Sequence, residues 1–305
     1  MITQVIVQQL KSLEQQTRND YIILKDKILK EITTDYAVSY SHIADILRNS
    51  PNALSTKTIE ELIKEIYDEI QNQQDPMYDS FSKGINEITS FSSRKTFENL
   101  FEIGFLVNSS LNEYNKIAKT IGTQIMDEPF YQDKLSLSDR IWSPQKQMKI
   151  IDFIESKIKD NIDSRDIANQ LEDQSLTGKF FDINHSLVFG ETTRAYNQTK
   201  VEATREVNNE FKTTSFTQNF YKKIVSENTN FDKNSVAVIL QNVSDRHHVL
   251  DICDELAGYY RVDSDVPAIP RHERCECKQN IVILDNLDKI DKFNEISTNI
   301  DVEVY

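Results

Sequence analysis

The chain has 305 residues, with 35 lysines and arginines against 49 aspartates and glutamates and a formal net charge of −14. That balance excludes broad electrostatic attraction to a phosphate backbone or an anionic membrane, leaving room only for a local basic face. The length suits two domains, and the scarcity of glycine and proline, six of each, points to helix, because these residues punctuate short strands and tight turns.

The opening "MITQVIVQQLKSLEQQ" lacks the basic and apolar regions of a secretory leader, and no stretch approaches the roughly eighteen apolar residues of a membrane span. The expectation is therefore synthesis and folding in a cytoplasm. Residues 1–136 read as a helical arm or bundle. In "STKTIEELIKEIYDEIQNQ", Ser55 is placed to cap, and Ile59, Leu62, Ile63, Ile66 and Ile70 form an apolar stripe on one helical face. A polar break at Gln73 to Pro76 precedes a long helix expected to begin near Lys95. Next comes "LSLSDRIWSPQKQMKIIDFIESKIKDNIDSRDIANQLED". Ser143 and Pro144 give a cap and first turn, with Met148, Ile151, Ile154 and Ile158 inward; Ser164 caps a second helix with Ile167, Ala168 and Leu171 inward. That second helix carries one arginine against three acids in "RDIANQLED", which argues against DNA reading. Residues 186–210 form one further helix, placing Glu191, Arg194, Gln198 and Arg205 near one side. Such a row reads as a solvated face; the alternative is a buried polar seam that docks onto the cysteine region. The β-branched runs 235–243 and 280–284 read as strands. The fold class is thus α+β and predominantly helical, with a helical N-terminal region (1–136), a smaller domain of helices and a short sheet (137–285), and an acidic tail (286–305).

All three cysteines lie in the 25-residue window from Cys253 to Cys277. In a reducing compartment an odd, clustered set fits metal binding better than a disulfide framework. Cys253, His272, Cys275 and Cys277 supply the four thiolate or imidazole donors of a closed zinc site, which would clamp the base of the loop between Cys253 and Cys275. Read otherwise, Cys253 is a small buried hydrophobe and His272 a hydrogen-bonded loop residue. A catalytic zinc served by Glu255, Glu273 or Asp251, or a Cys253 nucleophile with His272 as base, rests on residue types alone.

"DRIW" with its following helices, "ETTRAYNQTK", "SDRHHVLDICDELAG" and "PAIPRHERCECK" resemble, in order and spacing, the Mu F-like head morphogenesis or minor capsid family of tailed bacteriophages. The resemblance spans about half the chain, 137–285. It implies a non-enzymatic virion component, present in few copies near the portal vertex of the head. Such a protein is made in the host cytoplasm, partners the portal and the major capsid or scaffold proteins, and acts in head assembly or genome delivery, with packaged DNA as a further partner. Glu191, Arg194 and Asn197 match the family's helix motif, whereas Phe189 and Gly190 stand where an arginine and a threonine are usual. Many members place a second cysteine where this chain has Leu250.

Two other functions compete. One is a metal-dependent hydrolase at the cysteine window, or a nucleotide-binding transferase using the face of Glu191 and Arg194; neither a P-loop nor a G-x-G-x-x-G pattern occurs. The other is a nucleic-acid-binding module built on Arg261, Arg271, Arg274 and Lys278 with Tyr259 and Tyr260 beside them. Eight acidic residues within 241–280 dilute that cluster.

Overall fold

The computed structural model describes residues 4–50, 56–105, 111–129, 135–216, 235–242, 256–262, 266–267, 269 and 277–284. Among these, eight helices precede and outweigh three strands, in keeping with a predominantly helical α+β fold. The helices are α1 (Gln4–Arg48), α2 (Thr56–Asn72), α3 (Gln74–Glu102), α4 (Leu111–Asp127), α5 (Leu137–Ile141), α6 (Pro144–Lys159), α7 (Ser164–Leu176) and α8 (Lys179–Phe216). The strands are β1 (Val236–Asn242), β2 (Gly258–Arg261) and β3 (Lys278–Leu284). None of the described helices is long and apolar enough to cross a membrane.

Local chemistry explains most of the boundaries. Leu62, Ile66 and Ile70 are buried on one side of α2, whereas Ile59 and Ile63 of the expected stripe are half-buried, and Ser55, read as its cap, lies outside the described residues. The break after α2 falls at Gln73, but no helix starts near Lys95; that residue lies inside α3. The chain stops instead at Gly104, whose φ of 75° closes a Schellman turn: the Phe105 N–H donates to the Leu100 carbonyl and the Gly104 N–H to the Phe101 carbonyl, each at 2.9 Å. The same device ends α6, with Asn161 at φ 56° and bonds from Asn161 and Ile162 back to Ile158 and Lys157.

Ser136 opens α5 with a capping box shared with Asp139. Ser143 and Pro144 open α6 as their order in the sequence predicts. The buried face of α6 is Lys146, Ile150, Ile151 and Ile154, so Met148, expected inward, is turned out and 58% exposed. Ile158 is only half-buried. In α7 the inward Ile167, Ala168 and Leu171 are as expected, but the cap is Asp163. Its carboxylate accepts from the Arg165 N–H, while the Ser164 hydroxyl donates to the Ser50 carbonyl.

The sheet is antiparallel, in the order β2-β1-β3. Strands β1 and β3 correspond to the two β-branched runs; β2 begins at a glycine and offers no such run. Alternation along β1 sorts the side chains. Val236, Val238 and Leu240 join Tyr259 and Leu284 in one apolar cluster. Ala237, Ile239 and Gln241 lie opposite Ile283, Ile281 and Gln279.

Contacts divide the chain into two units, each assembled from separated segments. One takes Met1–Leu24, Asn86–Gly122 and Thr192–Tyr305 and holds the sheet; the other takes Lys25–Ile85 and Thr123–Glu191. The second unit's core includes Ile28, Ile32, Tyr36, Tyr40, Ile66, Ile70 and Phe81.

Candidate functional site

Glu191 and Arg194, expected on a solvated face of α8, are 1% and 4% exposed. The polar row is therefore a buried seam at these positions, and it fades to half-buried at Gln198 and Arg205. Unpaired charges are not tolerated in such surroundings, so the location of each polar group's partner is informative.

In the unit that contains Glu191, the "DRIW" residues are consumed by packing. Asp139 completes the capping box of α5. Arg140 Nη1 lies 3.8 Å from Glu191 Oε1, joining the first recognised motif to the second. The Ile141 carbonyl accepts from the Tyr36 hydroxyl and from Lys146 Nζ, both at 2.9 Å. Trp142 packs edge-on against Tyr36 at 5.4 Å and tilted against Tyr40 at 5.7 Å. Lys146 also donates to the Tyr36 hydroxyl at 3.1 Å and stands 4.8 Å from its ring centre. Burial, with Arg140 and Lys149 adding to it, pulls the Lys146 ammonium down to about 7.

In the other unit α8 holds all three strands. Asn208 brackets Ala237 of β1, donating to its carbonyl at 2.7 Å and accepting from its N–H at 3.0 Å. Arg205 Nε donates to the carbonyl of Val262, the residue that follows β2. Lys200 Nζ donates to the Gln279 carbonyl of β3 at 3.1 Å and to Glu14 Oε2 of α1 at 2.8 Å. Glu14 Oε2 accepts in turn from the Ile281 N–H at 3.2 Å, and Asn99 of α3 donates to Glu14 Oε1 and to Thr17. The Tyr21 and Tyr196 rings stack at 4.0 Å, with Lys200 4.9 Å from the Tyr196 ring centre. Burial opposes charge on Lys200, but the Glu14 carboxylate and Tyr196 outweigh it and hold the ammonium above its usual range. Burial likewise raises the Tyr196 and Tyr21 hydroxyls. Small hydroxyl residues are buried on the same two helices: Thr192, Thr193, Thr199 and Thr204 on α8 and Ser92, Ser93 and Thr96 on α3. Several bond backbone carbonyls, as Ser92 does to Tyr196 and Thr204 to Lys200.

Of the expected zinc ligands, Cys253, His272 and Cys275 lie outside the described residues. Cys277 is described: it is buried beside Ile269 and immediately precedes β3. Among the described residues no group of three or more histidines, cysteines or acids is placed to hold a metal. Of the basic cluster, Arg271 and Arg274 also lie outside the described residues. Arg261 ends β2, exposed, opposite Val238, and Lys278 begins β3, half-buried, opposite Asn242. The tyrosines beside them are partly taken up by the fold. Tyr259 belongs to the sheet's apolar cluster, and the Tyr260 hydroxyl donates to the Leu256 carbonyl.

Sequence reasoning passed over Glu14 and Lys146, although a signal exists for both. Glu14 continues the buried stripe Leu10, Thr17 and Tyr21 of α1, and Lys146 shares the spacing of Ile150 and Ile154. A charge inside an apolar stripe marks a buried pair or a buried base.

Compared with family models, curated proteins and solved structures, the chain matches none.

Proposed function

We propose that this chain is a structural assembly protein rather than an enzyme, and specifically a Mu F-like minor head protein of a tailed bacteriophage. In this reading it sits in few copies at the portal vertex, contacts the portal and the major capsid or scaffold proteins, lies close to packaged DNA, and acts in head assembly or genome delivery. The observation that carries the proposal is the ordered run of four motifs, "DRIW", "ETTRAYNQTK", "SDRHHVLDICDELAG" and "PAIPRHERCECK". Their described polar residues support a scaffold role. Lys200 is committed to an ion pair with Glu14 and to the Gln279 carbonyl, and Glu191 faces Arg140 at 3.8 Å inside the protein, whereas a reactive centre aims such groups at a substrate.

Independently of the family resemblance, we propose from the count of thiolate and imidazole donors that Cys253, His272, Cys275 and Cys277 hold one zinc ion. When bound, the ion would supply only a structural cross-link. Cys277 fits that role, being buried at the start of β3, where a fixed ligand would anchor the window to the sheet. Elemental analysis of untagged protein tests the clamp: one zinc per chain, lost together with thermal stability in Cys275→Ser, is expected, and metal-free wild-type protein as stable as the variant overturns it.

The portal assignment is tested by co-expressing the chain with a portal protein and by probing purified virions for it. Co-purification at low stoichiometry and presence in virions are expected. Failure to bind portal together with absence from virions defeats the reading.

A further inference from the structure

Glu69 lies in the last turn of α2, and Gln73 follows one turn later, its N–H donating to the Glu69 carbonyl at 3.0 Å. Residues four apart along a helix share one face, and His42 of α1 meets these two there. Gln73 Nε2 lies 2.6 Å from Glu69 Oε1 and 3.1 Å from His42 Nδ1, and those two atoms are 3.3 Å apart. A carboxylate offers only lone pairs, and an imidazole nitrogen that accepts from an amide offers one as well. Two lone pairs from two helices therefore converge on one point, and the positive end of an amide fills it.

We propose that His42 Nδ1, Glu69 Oε1 and the amide oxygen of Gln73 form a site for one divalent transition-metal ion such as zinc, tying α1 to the end of α2. The separations suit such an ion. Ligands about 2.0–2.1 Å from zinc and at a tetrahedral angle stand about 3.3–3.4 Å apart, and the imidazole and carboxylate are already at 3.3 Å. A half-turn of the Gln73 amide exchanges its nitrogen for its oxygen. That oxygen would then face Glu69 Oε1 across 2.6 Å, a distance two oxygens keep only around a cation. The amide is thus a donor without the ion and a ligand with it. Ser39 accommodates the turn. Its buried hydroxyl lies 3.2 Å from Gln73 Oε1 and 3.1 Å from the Asp35 carbonyl, and its one proton serves one of these acceptors at a time. With the amide turned, Gln73 donates to the Ser39 oxygen and the Ser39 proton goes to Asp35, so every group is bonded. One imidazole with two oxygens favours zinc and its transition-metal neighbours over magnesium or calcium, which take oxygen ligands. The His42 and Glu69 side chains are 51% and 21% exposed, so the ion enters from water and keeps water as its remaining ligand. The site goes beyond the assembly reading and does not depend on it.

Zinc chloride titrated into the full-length chain tests the proposal, once elemental analysis has counted any metal already bound. The readout is the His42 ring in long-range proton–nitrogen NMR spectra, assigned by its loss in His42→Gln. A saturable shift centred on Nδ1 is expected, and magnesium at the same concentration should leave the ring unchanged. Glu69→Gln and Gln73→Ala, with folding checked by circular dichroism, are each expected to weaken zinc binding by at least about tenfold. A ring that does not respond, coordination through Nε2, or equal affinity in the wild type and both variants overturns the proposal, since a lone surface imidazole behaves in the last way. Should neither variant fold, the choice between Nδ1 and Nε2 in the wild type decides. The His42 ring does not report on the cysteine window, so failure of the zinc clamp and failure of this site are told apart.

Discussion

Lys200 and Glu14 illustrate how a single buried charge ties distant parts of a chain. Each is almost fully removed from water, and each bonds the other and a β3 peptide group. Truncating one partner leaves an uncompensated charge, so Lys200→Met is expected to destabilise by about 3–5 kcal/mol, read by urea denaturation. Replacing Glu14 and Lys200 together with apolar residues removes the stranded charge but leaves two peptide groups unbonded, and should cost less than the single change. Lys146 is the opposite case, an ammonium held by a hydroxyl and a carbonyl. The folded protein releases its proton near 7, whereas the unfolded chain keeps it to the ordinary lysine value of 10.5. Between those values the unfolded state binds more protons, so stability rises with pH, by at most about 1.4 kcal/mol per pH unit. Buried Tyr36 and Tyr40, both raised by burial, oppose this only above about pH 10. Unfolding free energies at about pH 7.5 and pH 9.5 should therefore diverge in the wild type and converge in Lys146→Met.

At the scale of elements, helix ends and helix faces were each legible only in part: Ser143 caps α6 as expected, but Asp163 rather than Ser164 caps α7. Ser143 with Pro144 locates the start of α6, because a side-chain oxygen and a residue lacking an N–H satisfy the first turn locally. Gly104 carried an equally local signal for the end of α3. The left-handed residue at that end is expected to be costly to replace. Gly104→Ala should lower stability by about 1–2 kcal/mol, measured by thermal unfolding. Gly84 is constrained by proximity instead. A Cβ there would lie 2.7 Å from Ile28 Cγ2 and 3.2 Å from Ile32 Cδ1, so Gly84→Ala forces α1 and α3 apart and should cost about 1–3 kcal/mol. The faces were uneven too. Met148, expected inward because period alone ranks methionine as a core residue, is exposed, while Lys146, which sequence reasoning passed over, is buried because the neighbouring Tyr36 hydroxyl and Ile141 carbonyl accept from it. Strand β2, four residues beginning with a glycine, is too short to stand out in the sequence although Tyr259 and Tyr260 favour strand, and it is fixed by its pairing with β1.

Across the whole molecule, distance along the chain is a poor guide to what folds together. Glu14 bonds Ile281 across 267 positions, and the unit that holds the sheet draws on Met1–Leu24 and Asn86–Gly122 as well as the C-terminal third. Removal of residues 1–24 is therefore expected to abolish the hydrogen-exchange protection of β1 and β3 amides, although the strands lie more than two hundred residues downstream. Retained protection in the truncated chain would show that α8 alone suffices to support the sheet.

The sequence by itself determined the helical character, the two β-branched strands, the cap of α6 and the middle of α8, because each follows from periodicity or from bonds made within a few residues. Whether the polar row of α8 meets water or protein was a tertiary decision. The same glutamate, arginine and lysine pattern serves either role, and only the arrival of Arg140 at Glu191, of Glu14 at Lys200 and of the strand carbonyls supplies the partners that make burial of those charges affordable.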